Sequence, residues 1–145
     1  MPNKEISDHP GLTQAQIMTA YMAERQDELL DAVVTASALV ARADGAAGPI
    51  ERSQLLDFLG RNGLLSVHTR AEILDAFEFR IRQFEERGGA VLAIDCLARL
   101  AGRSPARFVI GAGEHVAAAD GHLHPDELRM LQLIRIALAP SASTL

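Results

Sequence analysis

The amino-acid sequence predicts an all-α protein, and three observations lead to this prediction. Of the 145 residues, 48% are hydrophobic but only 4% are aromatic, so the core consists mainly of Ala, Leu, Val and Ile, a composition that suits closely packed helices. Apolar residues recur at helical spacing along most of the chain. Gly and Pro stand where one helical pattern ends and the next begins. We therefore predict about seven helices in a bundle that contains two pseudo-symmetric helix-loop-helix repeats.

The predicted helices follow one another with short connections. A first amphipathic helix carries Ile17, Met18, Tyr21 and Met22 and docks on the body of the protein or, as the alternative, on a partner. A separate long helix, over residues 26–44, buries one face. The remaining helices cover residues 49–63, 69–88, 90–100, 105–120 and 125–139. The fourth is expected to open with a capping box formed by Thr69 and Glu72. The last is expected to bury Leu128, Leu131, Ile134 and Leu138.

The length of the chain suits a single domain, with a core of ordinary size. We assign residues 1–12 to a flexible N-terminal lead, residues 13–139 to one helical domain and residues 140–145 to a C-terminal tail. The lone cysteine, Cys96, cannot form an internal disulfide, and its apolar neighbours predict a small buried side chain.

Charge and hydropathy exclude several classes of partner. The formal charge of -5, with no local run of Lys or Arg, offers no surface for a phosphate backbone, so no nucleic acid is expected. No apolar stretch approaches the roughly 20 residues of a transmembrane helix. The first residues have neither the basic nor the apolar region of a secretory signal. We expect a soluble, intracellular protein.

Two segments of the chain resemble each other when Asp44 is placed on Asp120. Such a duplication is typical of two helical hairpins packed about a pseudo-two-fold axis, which would bring both loops to one pole of the molecule. The corresponding residues are Ala43-Asp44-Gly45 and Ala119-Asp120-Gly121, followed by Pro49 and Pro125 and by Glu51 and Glu127.

Most of the repeated residues have a structural role. Each Gly can adopt the left-handed conformation at a helix end, and each Pro suits the first turn of the next helix. Glu51 and Glu127 fall where a carboxylate reaches back to exposed amides. Asp44 and Asp120 differ, because a carboxylate in the last turn opposes the helix dipole and costs about 0.3 to 1 kcal/mol. Either a bound cation or hydrogen bonds from loop amides would offset this cost.

The loops imitate only half of a calcium-binding EF-hand loop. The Asp-Gly pair and the later Glu match the second half of that loop. Val40 and Arg42 in one copy, and Val116 and Ala118 in the other, occupy the positions of the first acidic ligands. One loop alone therefore has too few oxygen ligands, and calcium would require both loops or several waters.

The sequence resembles the tellurite-resistance TerB family over about residues 26–139. The resemblance rests on residues 36–45 (ASALVARADG), on residues 62–67 (NGLLSV) followed by Glu72-Ile73-Leu74, and on residues 114–121 (EHVAAADG). It implies an all-helical repeat fold in a cytoplasmic protein of a metal-stress and tellurite response. It also implies a non-catalytic adaptor to the membrane and to sibling proteins of that system, so the expected partners are proteins of the tellurite-resistance system, including membrane-associated ones.

The resemblance also implies a metal site, in which the acidic cluster corresponds to Asp44, Glu51, Asp120 and Glu127. The implied cofactor is a divalent cation, calcium or magnesium. The chain departs from the family before each Pro, where Asp or Ser is common and Gly48 and His124 stand here. His124, beside His122, would shift the preference toward zinc or nickel if it took part, whereas two solvated histidines would not.

Three functions remain open from the sequence. The first is a cation-binding sensor or adaptor without catalytic activity. The second is a metal-free helical interaction module whose acidic surface attracts a basic partner. The third is an enzyme using His115 and Glu114, which no nucleophile motif or phosphate-binding loop supports. We expect no catalytic residue, and we expect the His115 ring to be satisfied locally. The oligomeric state is left open.

Overall fold

The computed structural model describes residues 13–43, 48–62, 68–103, 105–119, 121 and 124–140, with the side chains of the first helix described from Asp27 onward. Within these residues the chain is all-helical, as predicted, and contains no strand. The helices are α1 (Gln14–Arg42), α2 (Pro49–Arg61), α3 (Arg70–Phe84), α4 (Gly89–Ala98), α5 (Ala106–Ala117) and α6 (Pro125–Leu138).

The described part of the chain has six helices rather than seven, because the first two predicted helices are one. The segment between them, Ala23-Glu24-Arg25-Gln26, contains only strong helix formers and neither Gly nor Pro, so nothing interrupts the backbone hydrogen bonds. The side chains of Ile17, Met18, Tyr21 and Met22 lie outside the described ones. Their docking on the body of the protein stays a prediction.

The second half of α1 is the centre of the core. Every residue from 32 to 41 is buried, whereas the sequence pattern predicted one buried face. The reason is that α1 packs against α3, α5 and α6 at once, and most extensively against α5 and α3. Thr35 is accommodated because its hydroxyl donates a hydrogen bond to the Asp31 carbonyl, at 2.7 Å, one turn earlier in the helix.

The other helices surround this centre. α5 also contacts α2 and α6, and α4 contacts α6. Ion pairs join the helices at the surface: Arg80 binds Asp31 of α1 at 2.7 Å, and Arg135 of α6 binds Glu114 of α5. None of the described helices is long and apolar enough to cross a membrane.

Two predictions of buried side chains were wrong, both on peripheral helices. Cys96 is exposed, because α4 turns the stripe Gly89, Ala93 and Leu97 toward the core and leaves the rest of its apolar run outside. Leu128 is 38% exposed, because α6 buries the stripe that begins at Glu127 and continues one turn later. On a helix with one buried face, an apolar residue that lies beside the buried stripe remains exposed to solvent.

Candidate functional site

The start of α2 is organised by Glu51. The chain enters the helix through Gly48, which has extended backbone, and Pro49 occupies the first helical position as predicted. The Glu51 Oε1 atom accepts a hydrogen bond from the Gly48 backbone N–H at 2.5 Å. The carboxylate thus satisfies an amide that the helix itself leaves without a partner, and its negative charge lies near the positive end of the helix dipole.

The start of α6 repeats this arrangement with Glu127. His124 has extended backbone and Pro125 is the first helical residue. The Glu127 Oε1 atom accepts a hydrogen bond from the His124 backbone N–H at 3.3 Å. Glu127 is 4% exposed, whereas Glu51 is half-buried. The structural role predicted for both glutamates is therefore confirmed at the two corresponding positions.

Capping alone does not use all the lone pairs of a carboxylate. A carboxylate has two oxygens and about four lone-pair positions, and the hydrogen bond from the amide occupies one of them. The same geometry occurs at the start of α3, where Glu72 accepts from the Thr69 N–H at 2.8 Å and the Thr69 hydroxyl accepts from the Glu72 N–H at 3.1 Å. The predicted capping box is thus confirmed, and Glu72 provides a capping glutamate outside the repeated loops.

The two repeated aspartates, Asp44 and Asp120, lie outside the described residues, as do Gly45 and His122. Gly121 is described and has a φ of 79°, the left-handed conformation that its position predicts. Among the described residues there is no group of three or more His, Cys, Asp or Glu side chains placed to hold a metal ion. The joint site of Asp44, Glu51, Asp120 and Glu127 stays a prediction.

Close packing joins the helices that precede the two loops. Gly113 of α5 faces α1 and α6: a Cβ added there would lie 3.1 Å from Leu131 Cδ2 and 3.4 Å from Val40 Cγ2. The absence of a side chain at Gly113 therefore allows α5 to approach both neighbours. In the sequence repeat Gly113 corresponds to Ser37, which is also fully buried. Small residues occupy equivalent positions on the two helices.

A polar cluster that was not predicted connects α5 to α2. The His115 ring nitrogen Nε2 is 3.0 Å from Asp57 Oδ2, and Arg61 Nε lies 2.8 Å from the same oxygen. The Phe58 ring stands 5.8 Å from the His115 ring, between centroids. The prediction of a local partner for His115 was wrong, because the partner belongs to another helix. The spacing of Asp57 and Arg61 in the sequence indicates that they can pair on one helix. No sequence pattern indicates their contact with His115.

This cluster changes the titration of Asp57. The hydrogen bond from Arg61, with a further contribution from His115, lowers the pKa of the Asp57 carboxyl below its ordinary value, although partial desolvation opposes the shift. At Glu72, the hydrogen bonds from Thr69 likewise lower the pKa of the carboxyl. A carboxyl whose pKa is lowered on folding stabilises the folded state above its unfolded pKa. It loses this contribution as the pH falls through its folded pKa.

We expect Asp57→Asn to lower the free energy of unfolding near neutral pH, because the charge that binds Arg61 and His115 is removed. The difference from the wild type should shrink on acidification, as the wild-type carboxylate becomes protonated. Urea denaturation over a series of pH values measures both effects. Asp75→Asn is the control, since Asp75 is exposed on α3 and its side chain has no hydrogen bond or ion pair with the described residues. A difference that stays constant as the pH falls would contradict the assignment.

The helices and their capping glutamates define a small all-helical domain. In it α1 and α5 pack against each other, and each is followed in the sequence by a helix that begins with Pro. The family model described as tellurite resistance protein TerB matches residues 30–144, well over half of the chain. The chain therefore belongs to the TerB family. Comparisons with curated proteins and with solved structures give no significant match.

Proposed function

We propose that this protein is a non-catalytic, cytoplasmic member of a tellurite-resistance and metal-stress response, and that it acts as a sensor or adaptor by binding a divalent cation. The cation would be held by Asp44, Glu51, Asp120 and Glu127. Family membership supports the biological setting. The proposal rests mainly on the repeated geometry of Glu51 and Glu127. Each carboxylate accepts a hydrogen bond from the backbone N–H of the residue before a Pro, and in the sequence each Pro follows an Asp-Gly pair.

The four acidic residues, which we call the acidic set, differ in how the helix dipole acts on their charge. Glu51 and Glu127 lie at helix N-termini, where the helix dipole already stabilises negative charge. Asp44 and Asp120 follow the ends of α1 and α5 in the sequence, where the dipole has the opposite sign. The aspartates therefore gain most from a cation, while the glutamates contribute ligands that capping has positioned.

A cation shared by the two loops would shift the folding equilibrium of the protein, because cation binding and folding are thermodynamically linked. It would bind the folded form in preference to the unfolded one, and the stabilisation would grow with the logarithm of the cation concentration once this exceeds the dissociation constant. It would also favour one relative position of the α1–α2 and α5–α6 pairs, and so one shape of the surface offered to a partner protein. No catalytic group is required for this role.

Thermal melting with and without cations tests the proposal. We expect calcium, magnesium, zinc or nickel, added to metal-free protein, to raise the Tm. At about 100 times its dissociation constant a cation adds about 2.7 kcal/mol. This corresponds to roughly 5 to 15 °C for a domain of this size. The Asp44→Asn, Asp120→Asn double variant should lose the increase. A wild type whose Tm responds to none of the four ions would exclude the sensing role.

Glutamine variants separate coordination from capping. Gln keeps the side-chain oxygen that accepts the backbone N–H but removes the charge. The Glu51→Gln, Glu127→Gln double variant should therefore melt close to the metal-free wild type and respond weakly to the cation. Glu72→Gln is the matched control, because Glu72 has the same capping role on α3. If Glu72→Gln reduced the cation effect equally, the effect would not arise at the repeated loops.

A second function, a metal-free interaction module with an acidic surface, is favoured by one observation. Both Glu51 and Glu127 already have a backbone partner, so capping alone accounts for their presence. Such a module would bind a basic partner with an affinity that falls as salt is added, and its Tm would be indifferent to divalent ions. The melting experiment thus distinguishes the two functions.

A further inference from the structure

A groove with basic walls lies between the turn that connects α4 to α5, the first turn of α5 and the end of α6. Its volume is about 760 Å³, within the range of ligand-binding clefts. Neither Glu51 nor Glu127, the described members of the acidic set, lines it. Among the described residues that line it, the charged ones are all arginines, Arg103, Arg107 and Arg135. In a protein with a formal charge of -5, the positive sign of this groove is a local exception.

The walls of the groove are held in place by a contact between distant parts of the chain. The Gly102 backbone N–H donates a hydrogen bond to the Leu138 carbonyl at 3.1 Å, which attaches the turn after α4 to the last turn of α6. Gly102 has a φ of 72°, and a Cβ there would lie 3.5 Å from Pro140 Cα. The turn therefore follows the end of α6 closely, and the groove is formed before any partner binds.

The three arginines differ in whether an acidic side chain already pairs with them. Arg135 is held by Glu114 of α5, and Arg103 is 3.7 Å from Glu28, at the outer limit of an ion pair. Arg107 is exposed and forms no ion pair with any of the described residues. The first turn of α5 carries Arg107 and adds the positive end of its helix dipole. The groove consequently has positive charge available for a carboxylate, centred on Arg107.

The floor of the groove is apolar. Phe108, which follows Arg107, is 44% exposed, half-buried Ile110 continues the apolar surface, and buried Leu138 lies beneath it. Exposed aromatic side chains beside arginines are the composition most enriched at the energetic centres of protein interfaces. A free small anion would use the guanidinium groups alone. A ligand that combines carboxylates with an apolar side chain would use the arginines and the floor together.

We propose that this groove binds an acidic segment of a partner protein, with one or two apolar side chains placed on Phe108 and Ile110 and carboxylates paired with the arginines. The planar guanidinium suits carboxylates because it can donate two parallel hydrogen bonds. The proposal is independent of cation binding, since it involves no residue of the acidic set. It assigns the protein a second recognition surface, opposite in sign to its overall charge.

Fluorescence anisotropy with a defined peptide tests the proposal on the full chain. The probe is a short fluorescein-labelled peptide in which Asp and Glu residues flank a central Phe-Leu pair. We expect saturable binding that weakens as salt is added. Arg107→Glu should raise the dissociation constant about tenfold or more, and Phe108→Ala should raise it severalfold. Both residues are exposed, so the melting temperature of each variant should stay close to that of the wild type.

The controls decide between the groove and general electrostatic attraction. Arg70→Glu makes the same charge change on exposed Arg70 at the start of α3, which does not line the groove, and should alter the dissociation constant less than about twofold. A peptide with Ser in place of the Phe-Leu pair should bind more weakly. Equal loss in Arg107→Glu and Arg70→Glu, equal affinity for the two peptides, or no binding by the wild type would overturn the proposal.

A membrane surface is the other ligand that arginines beside an aromatic residue can recognise. Co-sedimentation with vesicles of phosphatidylserine and phosphatidylcholine tests it directly. We expect no groove-dependent binding to these vesicles. Binding that Arg107→Glu abolishes, together with no binding of the peptide, would overturn the assignment to a protein segment and would assign the groove to anionic lipid.

Discussion

Phe77→Ala should lower the free energy of unfolding by about 3 to 5 kcal/mol, the usual range for the loss of a fully buried aromatic ring. Phe77 has no exposed surface and is among the largest of the fully buried side chains. It lies on α3, one of the two helices that pack most extensively against α1. The Arg52 guanidinium of α2 also stands 5.9 Å from the centre of its ring. Equilibrium denaturation with urea measures the loss.

The matched control is Phe79→Ala on the same helix. Phe79 is 56% exposed, so the same truncation removes little buried surface and should change stability by less than about 1 kcal/mol. Similar losses for the two variants would mean that α3 does not turn Phe77 toward the core. The comparison thus tests the orientation of α3, on which the shape of the described fold depends.

Gly113→Val should destabilise the protein by about 1 to 3 kcal/mol, because it inserts a branched side chain into a closed contact. The added Cβ would stand 3.1 Å from Leu131 Cδ2 and 3.4 Å from Val40 Cγ2, and the two methyl groups beyond it require still more room in this contact. Relief requires the side chains of Leu131 and Val40 to shift, or α5 to move away from α1 and α6. Since the repeated loops follow α1 and α5, any cation effect on the Tm should also decrease in this variant.

Gly111→Ala, two residues earlier on α5, should have the opposite effect. A Cβ there lies 3.5 Å from the Phe58 ring, an ordinary van der Waals contact. Replacing Gly by Ala within a helix favours folding by about 0.5 to 1 kcal/mol. Thermal melts of the two variants side by side should therefore shift in opposite directions. A stabilised Gly113→Val variant would show that α5 does not approach its neighbours as closely as described.

The local signals in the sequence located the helix starts well. Pro49 and Pro125 begin α2 and α6, and Thr69 caps α3, as predicted. The partners of these groups lie within three or four residues, so spacing alone identifies them. The division of α1 into two helices was wrong for a related reason. Polar residues between two apolar patterns do not end a helix when each of them favours helical backbone.

Contacts between helices account for what sequence patterns missed. The same kind of apolar run is wholly buried in α1 but leaves Cys96 exposed in α4, because α1 has neighbours on several sides and α4 turns one stripe inward. The pairing of His115 with Asp57, and the groove that brings Arg107 beside Leu138, each join residues from different helices. The helical periodicity of a sequence does not show which residues of different helices come into contact.

The sequence by itself determined that the chain is helical, where most of its helices begin, which family it belongs to and that two Asp-Gly loops with trailing glutamates are repeated. These properties depend on interactions within a few residues, or on direct comparison of sequences. The tertiary structure alone decided which faces are buried, which charges pair across helices and where a basic groove forms, because these properties depend on how helices distant in sequence pack together.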